Sequence, residues 1–307
     1  MPDEQHYHTR SEVPPPYNSN SMTLPRISIV TPSYNQASFI EEALQSVKDQ
    51  NYPPLEHIAV DGASTDRTVS ILQEYSQRPD WQHLRWVSEP DQGQSDALNK
   101  GFRMATGEIV GWMNSDDRYR PGCFQAVIEA FEKNPAVDVL YGDYTWINEG
   151  GRVVQVRREI EFSRFVLSYH RVLYIPSTAT FFRRRVFEDG NFLNTQYHYA
   201  MDYDLFLRLA QKGYRFKHIP HLLADFRWHS SSKTGLNTEK MLAEHDAIAM
   251  RHSGVLRGLK SKVSKKLALS ALRVAAGGLR YSEKFVRGYY LGQIPAFARR
   301  ADSAPSR

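Results

Sequence analysis

The chain has 307 residues, 41% of them hydrophobic and 24% charged, which suits one large or two small globular domains and excludes collagen-like, fully disordered and polytopic membrane proteins. Its single cysteine, Cys123, excludes an intrachain disulfide, a cysteine-based zinc site and an iron–sulfur cluster. The net charge of +5 is unevenly spread: residues 251–307 hold 13 Lys and Arg against two acids, Glu283 and Asp302, leaving +11 there and −6 on the rest. A basic end on an acidic body implies an anionic surface near that end and argues against a nucleic-acid-binding core.

Residues 1–25, with Asp3, Glu4, Glu12 and Pro14-Pro15-Pro16, read as a disordered leader without the apolar stretch of a signal peptide. From Arg26 onward strands and helices alternate. Ile27-Ser28-Ile29-Val30 predicts a strand stopped by Pro32. Ser38-Phe39-Ile40-Glu41 has capping-box spacing and opens a helix with Ile40, Ala43, Leu44 and Val47 inside. Strands are predicted at 57–60, 84–87 and 108–113, and helices from about 65 and over 95–105. Four such β–α units predict a parallel sheet with right-handed crossovers, whose ligands bind beyond the carboxyl ends of the strands. Asp61, Glu89, Asp91, Asp116 and Asp117 all sit just past predicted strands.

After Pro121 the pattern is mixed. A helix is expected over 124–131, a strand over 137–146, and a hairpin turn at Asn148-Glu149-Gly150-Gly151 leading into 152–156. Pro176 to Phe182 reads as a strand, Asp202 to Leu209 as a helix, 214–219 and 222–228 as two strands, and 238–250 as a helix. The Phe181-Phe182-Arg183-Arg184-Arg185 run is better explained by strand residues and surface ion pairs than by nucleic-acid binding. No uninterrupted apolar run approaches the roughly 18 residues of a membrane span.

Asp116-Asp117 places two carboxylates at a strand end, where each raises the proton affinity of the other unless a cation neutralises them. A hard divalent ion such as Mg²⁺ or Mn²⁺ suits such a pair and completes its shell with phosphate oxygens; a solvated turn is the plainer reading. The chain has neither a G-x-G-x-x-G after its first strand nor a Walker sequence, which disfavours dinucleotide dehydrogenases and P-loop enzymes.

Thr31-Pro32-Ser33-Tyr34-Asn35, the Val60-to-Thr68 block beginning Val60-Asp61-Gly62-Ala63-Ser64, then Asn114-Ser115-Asp116-Asp117 and Met201-Asp202-Tyr203-Asp204-Leu205 together resemble the family-2 glycosyltransferases of GT-A fold. The block Ser88 to Gly101 is similar to a subgroup that builds bacterial surface polysaccharides. The resemblance covers about residues 26–235. It implies an α/β, Rossmann-like, mostly parallel sheet flanked by helices. A nucleotide-binding half (26–120) would be followed by an acceptor half (121–250) and a basic helical tail (251–307).

The resemblance further implies inverting transfer of a sugar from a nucleotide-sugar donor to a glycan or lipid-linked acceptor, with Mn²⁺ or Mg²⁺. Thr31, Pro32, Tyr34 and Asp61 would hold base and ribose, although Asp61-Gly62 is also a plain turn and Asp66 a helix cap. Asp91, Asp96 and Asn99 would line the donor side, where Asp96 and Asn99 can equally brace their own helix. Asp117 would be the direct metal ligand, Asp116 would contact ribose or support the metal, and His229 would be a second metal or phosphate ligand, with a plain surface residue as the alternative. Asp202 would be the general base; relatives commonly carry Glu-Asp where this chain has Met201-Asp202. Ser232 and Lys233 would close over the phosphates.

Over 255–300, basic residues alternate with Leu256, Leu259, Val263, Leu267, Leu269, Leu272 and Val274. This suits an amphipathic helix on an anionic membrane with Tyr289-Tyr290 at the interface, or a packed helix. The expected location is cytoplasmic, peripheral on the inner face of the cell membrane, with no nucleic-acid partner. The alternative is a non-catalytic nucleotide- or glycan-binding scaffold of a membrane polysaccharide complex.

Overall fold

The structure is a computed structural model that describes residues 24–170, 172–229 and 238–290. Its parallel half runs β1 (Ile27–Ser33), α1 (Ile40–Lys48), β2 (Leu55–Asp61), α2 (Thr68–Ser76), β3 (Leu84–Ser88), α3 (Gln94–Met104) and β4 (Ile109–Trp112). The mixed half holds β5 (Arg118–Tyr119), α4 (Cys123–Lys133), β6 (Val139–Ile147), β7 (Val153–Arg157), α5 (Arg164–Tyr169), β8 (Thr180–Arg183), α6 (Arg185–Glu188), α7 (Met201–Gln211) and β9 (Phe216–Arg227). Helices α8 (Thr238–His252), α9 (Gly254–Gly258) and α10 (Lys262–Val286) follow.

The nine strands among the described residues form one sheet in the order β3-β2-β1-β4-β8-β6-β9-β5, with β7 on β6. Strands β1 to β4 are parallel; β8 enters antiparallel between β4 and β6, and β6 and β9 are parallel again. The alternation of side chains along each strand builds two cores. Ile27, Ile29 and Phe181 face α4, while Val30 and Phe182 face α3 and α7. Gly101 on α3 lets that helix approach β1 closely: a Cβ there would fall 2.2 Å from Val30 Cγ1.

Several local expectations change. β1 continues past Pro32 to Ser33 because β2 pairs with it to the end, whereas β4 pairs only as far as Val30. Ser38 does not cap α1. The Gln36 carbonyl accepts from the N–H groups of Phe39 and Ile40, so Ser38 lies inside a turn that runs straight into the helix. Residues 177–179 form a 3₁₀ turn before β8. The two strands expected over 214–228 are one strand, β9, whose register against β6 shifts around Asp143. The arginine run behaves as expected in its ion pairs, Arg184 with Glu188 and Arg185 with Asp138, while Arg183 donates to the carbonyls of Val137 and Phe131.

The basic tail is docked on the body, not detached from it. Arg280 and Lys284 of α10 lie 2.7 and 2.9 Å from the carboxylate of fully buried Glu159. Such a buried triad is specific in geometry because any partner left alone would be strongly penalised. The leader before residue 24, Ser232, Lys233 and the stretch beyond 290 lie outside the described residues.

Thr31 and His57 are both fully buried and bonded through Oγ1 and Nε2 at 2.9 Å. Burial, with His83 nearby, lowers the His57 pKa to about 3. Below pH 6.5 the unfolded chain therefore takes up a proton that folded His57 refuses until about pH 3. We expect this site to remove about 1.4 kcal/mol of stability per pH unit over that window. Urea titrations at pH 7 and pH 5 should show the loss, and His57→Gln should flatten this part of the slope.

Candidate functional site

A cleft of about 600 Å³ opens at the carboxyl ends of β1 to β4. Its first wall comes from the parallel half. Pro32 lies at the end of β1, Tyr34 follows β1, Gly62 follows β2, and Asp91 follows β3. Two loops are tied together here. Asn35, with φ +52°, accepts at Oδ1 from the N–H of Thr65, and its own N–H donates to Ser64 Oγ. Gly62 is required by close approach: a Cβ would lie 2.6 Å from Asp91 Oδ2. Asp91 in turn accepts from the N–H of Gly93 at 2.7 Å, and Tyr34 projects at the rim.

The second wall comes from the mixed half. Asp202 stands in the first turn of α7 and lines the cleft beside Met201, His198 and Tyr199. Glu244 of α8 accepts from three backbone N–H groups, those of His198, Tyr199 and Ala200, at 3.0, 2.8 and 2.9 Å. Ala200 is the cap residue of α7, whose N–H the helix itself leaves open, and His198 and Tyr199 lead into it. One carboxylate from a later helix thus fastens the segment that carries Asp202.

The floor is the corner after β4. Asp116 lines the cleft, and its Oδ2 lies 3.0 Å from Nε2 of His229, which is buried under the ring of Phe39. Asp117 is buried beside Asp116. Its Oδ1 accepts from the Arg227 N–H at 2.8 Å, and its Oδ2 from Asn114 Nδ2 at 2.9 Å and from the Thr178 hydroxyl. Burial, and then the neighbouring Asp116 charge, push the Asp117 carboxyl up to about 8. Arg227 closes the corner from behind: its Nε donates to the Asp116 carbonyl at 2.7 Å, and its other nitrogens reach the Glu149 carbonyl and Glu42.

The cleft therefore gathers Pro32, Tyr34, Asp91, Asp116, Asp202 and His229. Five other expected site residues stand behind its walls. Asp117, expected as the direct metal ligand, is buried, accepts from Asn114, Thr178 and the Arg227 N–H, and is not among the residues that line the cleft. Thr31 serves His57. Asp61 is fully buried and accepts from Ser64 and from Ser88 Oγ at 2.7 Å. Asp96 accepts from the Gln92 N–H and pairs with Lys100. Asn99 makes a two-point clasp with the backbone of Leu193, at 2.9 and 2.8 Å. Each supports a cleft loop or helix without lining the cleft.

Reading along the sequence missed Asn114, Arg227 and Glu244. Asn114 binds Gln94 and Trp112 through Oδ1 and Asp117 through Nδ2, linking α3 to the corner. Its place in Asn114-Ser115-Asp116-Asp117 was a usable signal. Arg227 stands two residues before His229, a weak local signal, and Glu244 carries none, because its partners lie far away in the chain.

Asp116 and His229 offer one hard oxygen and one imidazole nitrogen, a donor set that suits a divalent ion whose remaining positions are filled from a bound diphosphate. Among the described residues no group of three His, Cys, Asp or Glu converges to hold a metal unaided.

A half-parallel, half-mixed sheet with its cleft at this edge is a fold of the GT-A type. TarS residues 1–349 from S. aureus, in complex with UDP-GlcNAc, shares it at TM-score 0.62 and 18% identity, over 85% of this chain and 75% of that one. Mannosyltransferase PcManGT from Pyrobaculum calidifontis, in complex with GDP-Man and Mn²⁺, aligns at TM-score 0.60 and 24% identity, over 82% of this chain and 70% of that one.

The sequence profile of glycosyl transferase family 2 matches residues 28–190, and the chain belongs to that family. Chondroitin synthase of Pasteurella multocida (strain Pm70) is 27% identical over 73% of this chain and 23% of its own length. Chondroitin synthase of Escherichia coli is 28% identical over 64% of this chain and 28% of its own. The chain thus spans about a quarter of the length of these curated relatives.

Glu244→Ala leaves the three N–H groups at the start of α7 without their acceptor. We expect kcat to fall by roughly tenfold or more, since misplacing a reacting group by about 1 Å costs far more than binding does. Donor affinity by calorimetry and the far-ultraviolet spectrum should be unchanged, and Glu244→Gln should recover part of the rate.

Proposed function

We propose that this protein transfers a sugar with inversion from a nucleotide-sugar donor to a hydroxyl of a glycan or lipid-linked glycan, on the cytoplasmic side of a membrane, with Mn²⁺ or Mg²⁺. What carries this reading is one cleft lined by a carboxylate at a helix start, Asp202, and by the Asp116–His229 pair of the β4 corner.

The donor's base and ribose would lie over the ends of β1 and β3. There Tyr34 offers a ring face to the base and Asp91 a carboxylate to hydroxyl or imide donors. The diphosphate would point to Asp116 and His229, which would hold the cation. That cation, when bound, neutralises charge on the departing nucleoside diphosphate. Asp202 would take the proton from the acceptor hydroxyl as its oxygen bonds to the anomeric carbon and the bond to the diphosphate oxygen breaks. Inversion follows from base and leaving group standing on opposite sides of the sugar. Met201 occupies the position where relatives carry a second acid. Ser95 Oγ lies 3.1 Å from its sulfur, so this chain would work with one carboxylate there.

The assignments divide cleanly by experiment. Asp202→Asn should retain Mn²⁺-dependent donor binding while kcat falls about 10²- to 10⁴-fold; turnover equal to the unmodified protein would reject the base. Asp116→Asn should abolish the gain in donor affinity on adding Mn²⁺. Asp117→Asn should lower the melting temperature first. Binding with no turnover for any donor, across glycan and lipid-linked acceptors, would favour the non-catalytic scaffold.

A further inference from the structure

Helix α10 buries charge alongside apolar residues: Arg280 and Lys284 are buried with Leu269 and Ala276. A surface helix normally buries apolar residues and shows charge to water. Here the charged side chains of its second half point into the body: Arg273 to Asp246, Arg280 and Lys284 to Glu159, and Glu283 to the N–H of Glu161. The opposite face is apolar. Val263, Leu267, Val274, Tyr281 and Phe285 fall within about 40° of one another at 100° per residue. These five side chains are 55% to 77% exposed. From Val263 to Phe285 the stripe is about 33 Å long. Soluble monomers rarely leave more than a few hundred Å² of contiguous apolar surface uncovered.

The apolar residues spaced over 256–274 suit either a single membrane-facing side or a packed helix. The fold divides them. Leu256 and Leu269 are buried with Ala249, with Leu259 and Leu272 packed against them, whereas Val263, Leu267 and Val274 face outward.

Charge decides what covers the stripe. Residues 247–282 contain eight Lys and Arg and no acid. Arg257, Lys260, Lys262, Lys265 and Lys266 cluster around the amino end of α10, and no ion pair joins them to an acid among the described residues. Cations at a helix amino end oppose the helix dipole, so this placement is unfavourable for the helix by itself. A second copy would bring another acid-free stripe to the same surface and leave the cations unpaired. An anionic bilayer answers both features: apolar side chains enter the acyl boundary, and lysine stems reach back to the headgroups.

We infer that the outward face of α10 is a docking surface for an anionic lipid bilayer, lying in the interface and leaving the cleft-bearing body in water. No helix among the described residues is long and apolar enough to cross a membrane. The inference rests on the cytoplasmic-membrane reading only for its purpose, and lipid binding is measured without turnover. A lipid-linked acceptor would be met at the surface where the enzyme is held.

The test is co-sedimentation of the full chain with vesicles of phosphatidylcholine alone or with one third phosphatidylglycerol. The unmodified protein should pellet only with the anionic vesicles, and 0.5 M NaCl should weaken the partition at least tenfold. Val274→Asp with Phe285→Asp should abolish it. Lys262→Gln with Lys265→Gln and Lys266→Gln should weaken it at least tenfold. In both variants the melting temperature and donor affinity should be unchanged, because these side chains make no described contact with the cleft. Protein remaining in the supernatant with anionic vesicles overturns the inference. So does a dimer, seen by sedimentation equilibrium, that Val274→Asp with Phe285→Asp dissociates while vesicle binding persists. Loss of turnover with vesicle binding intact would reject the catalytic reading alone.

Discussion

The clasp of Arg227 around the Asp116–Asp117 corner is the contact on which the cleft depends. One residue at the end of β9 donates its backbone N–H to Asp117 and its guanidinium to the Asp116 carbonyl, the Glu149 carbonyl and Glu42. Those partners belong to the corner after β4, the β6–β7 hairpin and α1. Arg227 therefore joins the parallel half of the sheet to the mixed half at the point where the cleft floor lies. Its planar fork suits several acceptors at once, which a lysine could not reproduce. With Asp117 committed to this framework, Asp116 is left to face the cleft beside His229.

The same division of labour recurs around the cleft. Asp61, Asn99 and Glu244 carry chemistry-bearing side chains, yet each is bonded to backbone or hydroxyl groups that shape a wall. Asp61 folds the loop of Ser64, Asn99 holds the segment at Leu193, and Glu244 holds the start of α7. A buried polar group must be satisfied, and in a protein of this size the nearest unsatisfied groups are those of irregular loops. Acids at strand ends are therefore as apt to build a site as to act in it. Pre-organisation of this kind matters for group transfer, where most of the barrier reduction comes from holding charges where they will be needed.

The carboxy-terminal helices add a second use of buried charge. Glu159 with Arg280 and Lys284 seats α10, and Glu244 of α8 seats α7, so the region after β9 is part of the machinery that frames Asp202. Placing the helix's charges inward frees its outer face for apolar residues. A basic, apolar helix and a well-folded body are thereby reconciled in one element.

The alternation of strand and helix over residues 27–112 was legible in the sequence because it rests on local periodicity: β-branched runs for the strands, spaced apolar residues for the helices. The motifs told which strand ends meet, since a parallel sheet puts them on one edge whatever the loops do. Family and cleft edge followed from that. The direction of individual carboxylates did not. Asp116 and Asp117 are neighbours in the chain, and only the arrival of Arg227 from 110 residues away decides which of them faces the cleft. The two faces of α10 were undecidable for the same reason: its inward cations are explained by Glu159, a residue more than 100 positions earlier. Local pattern determines elements and their edge; the partners that orient a polar side chain come from distant segments, and tertiary packing alone brings them together.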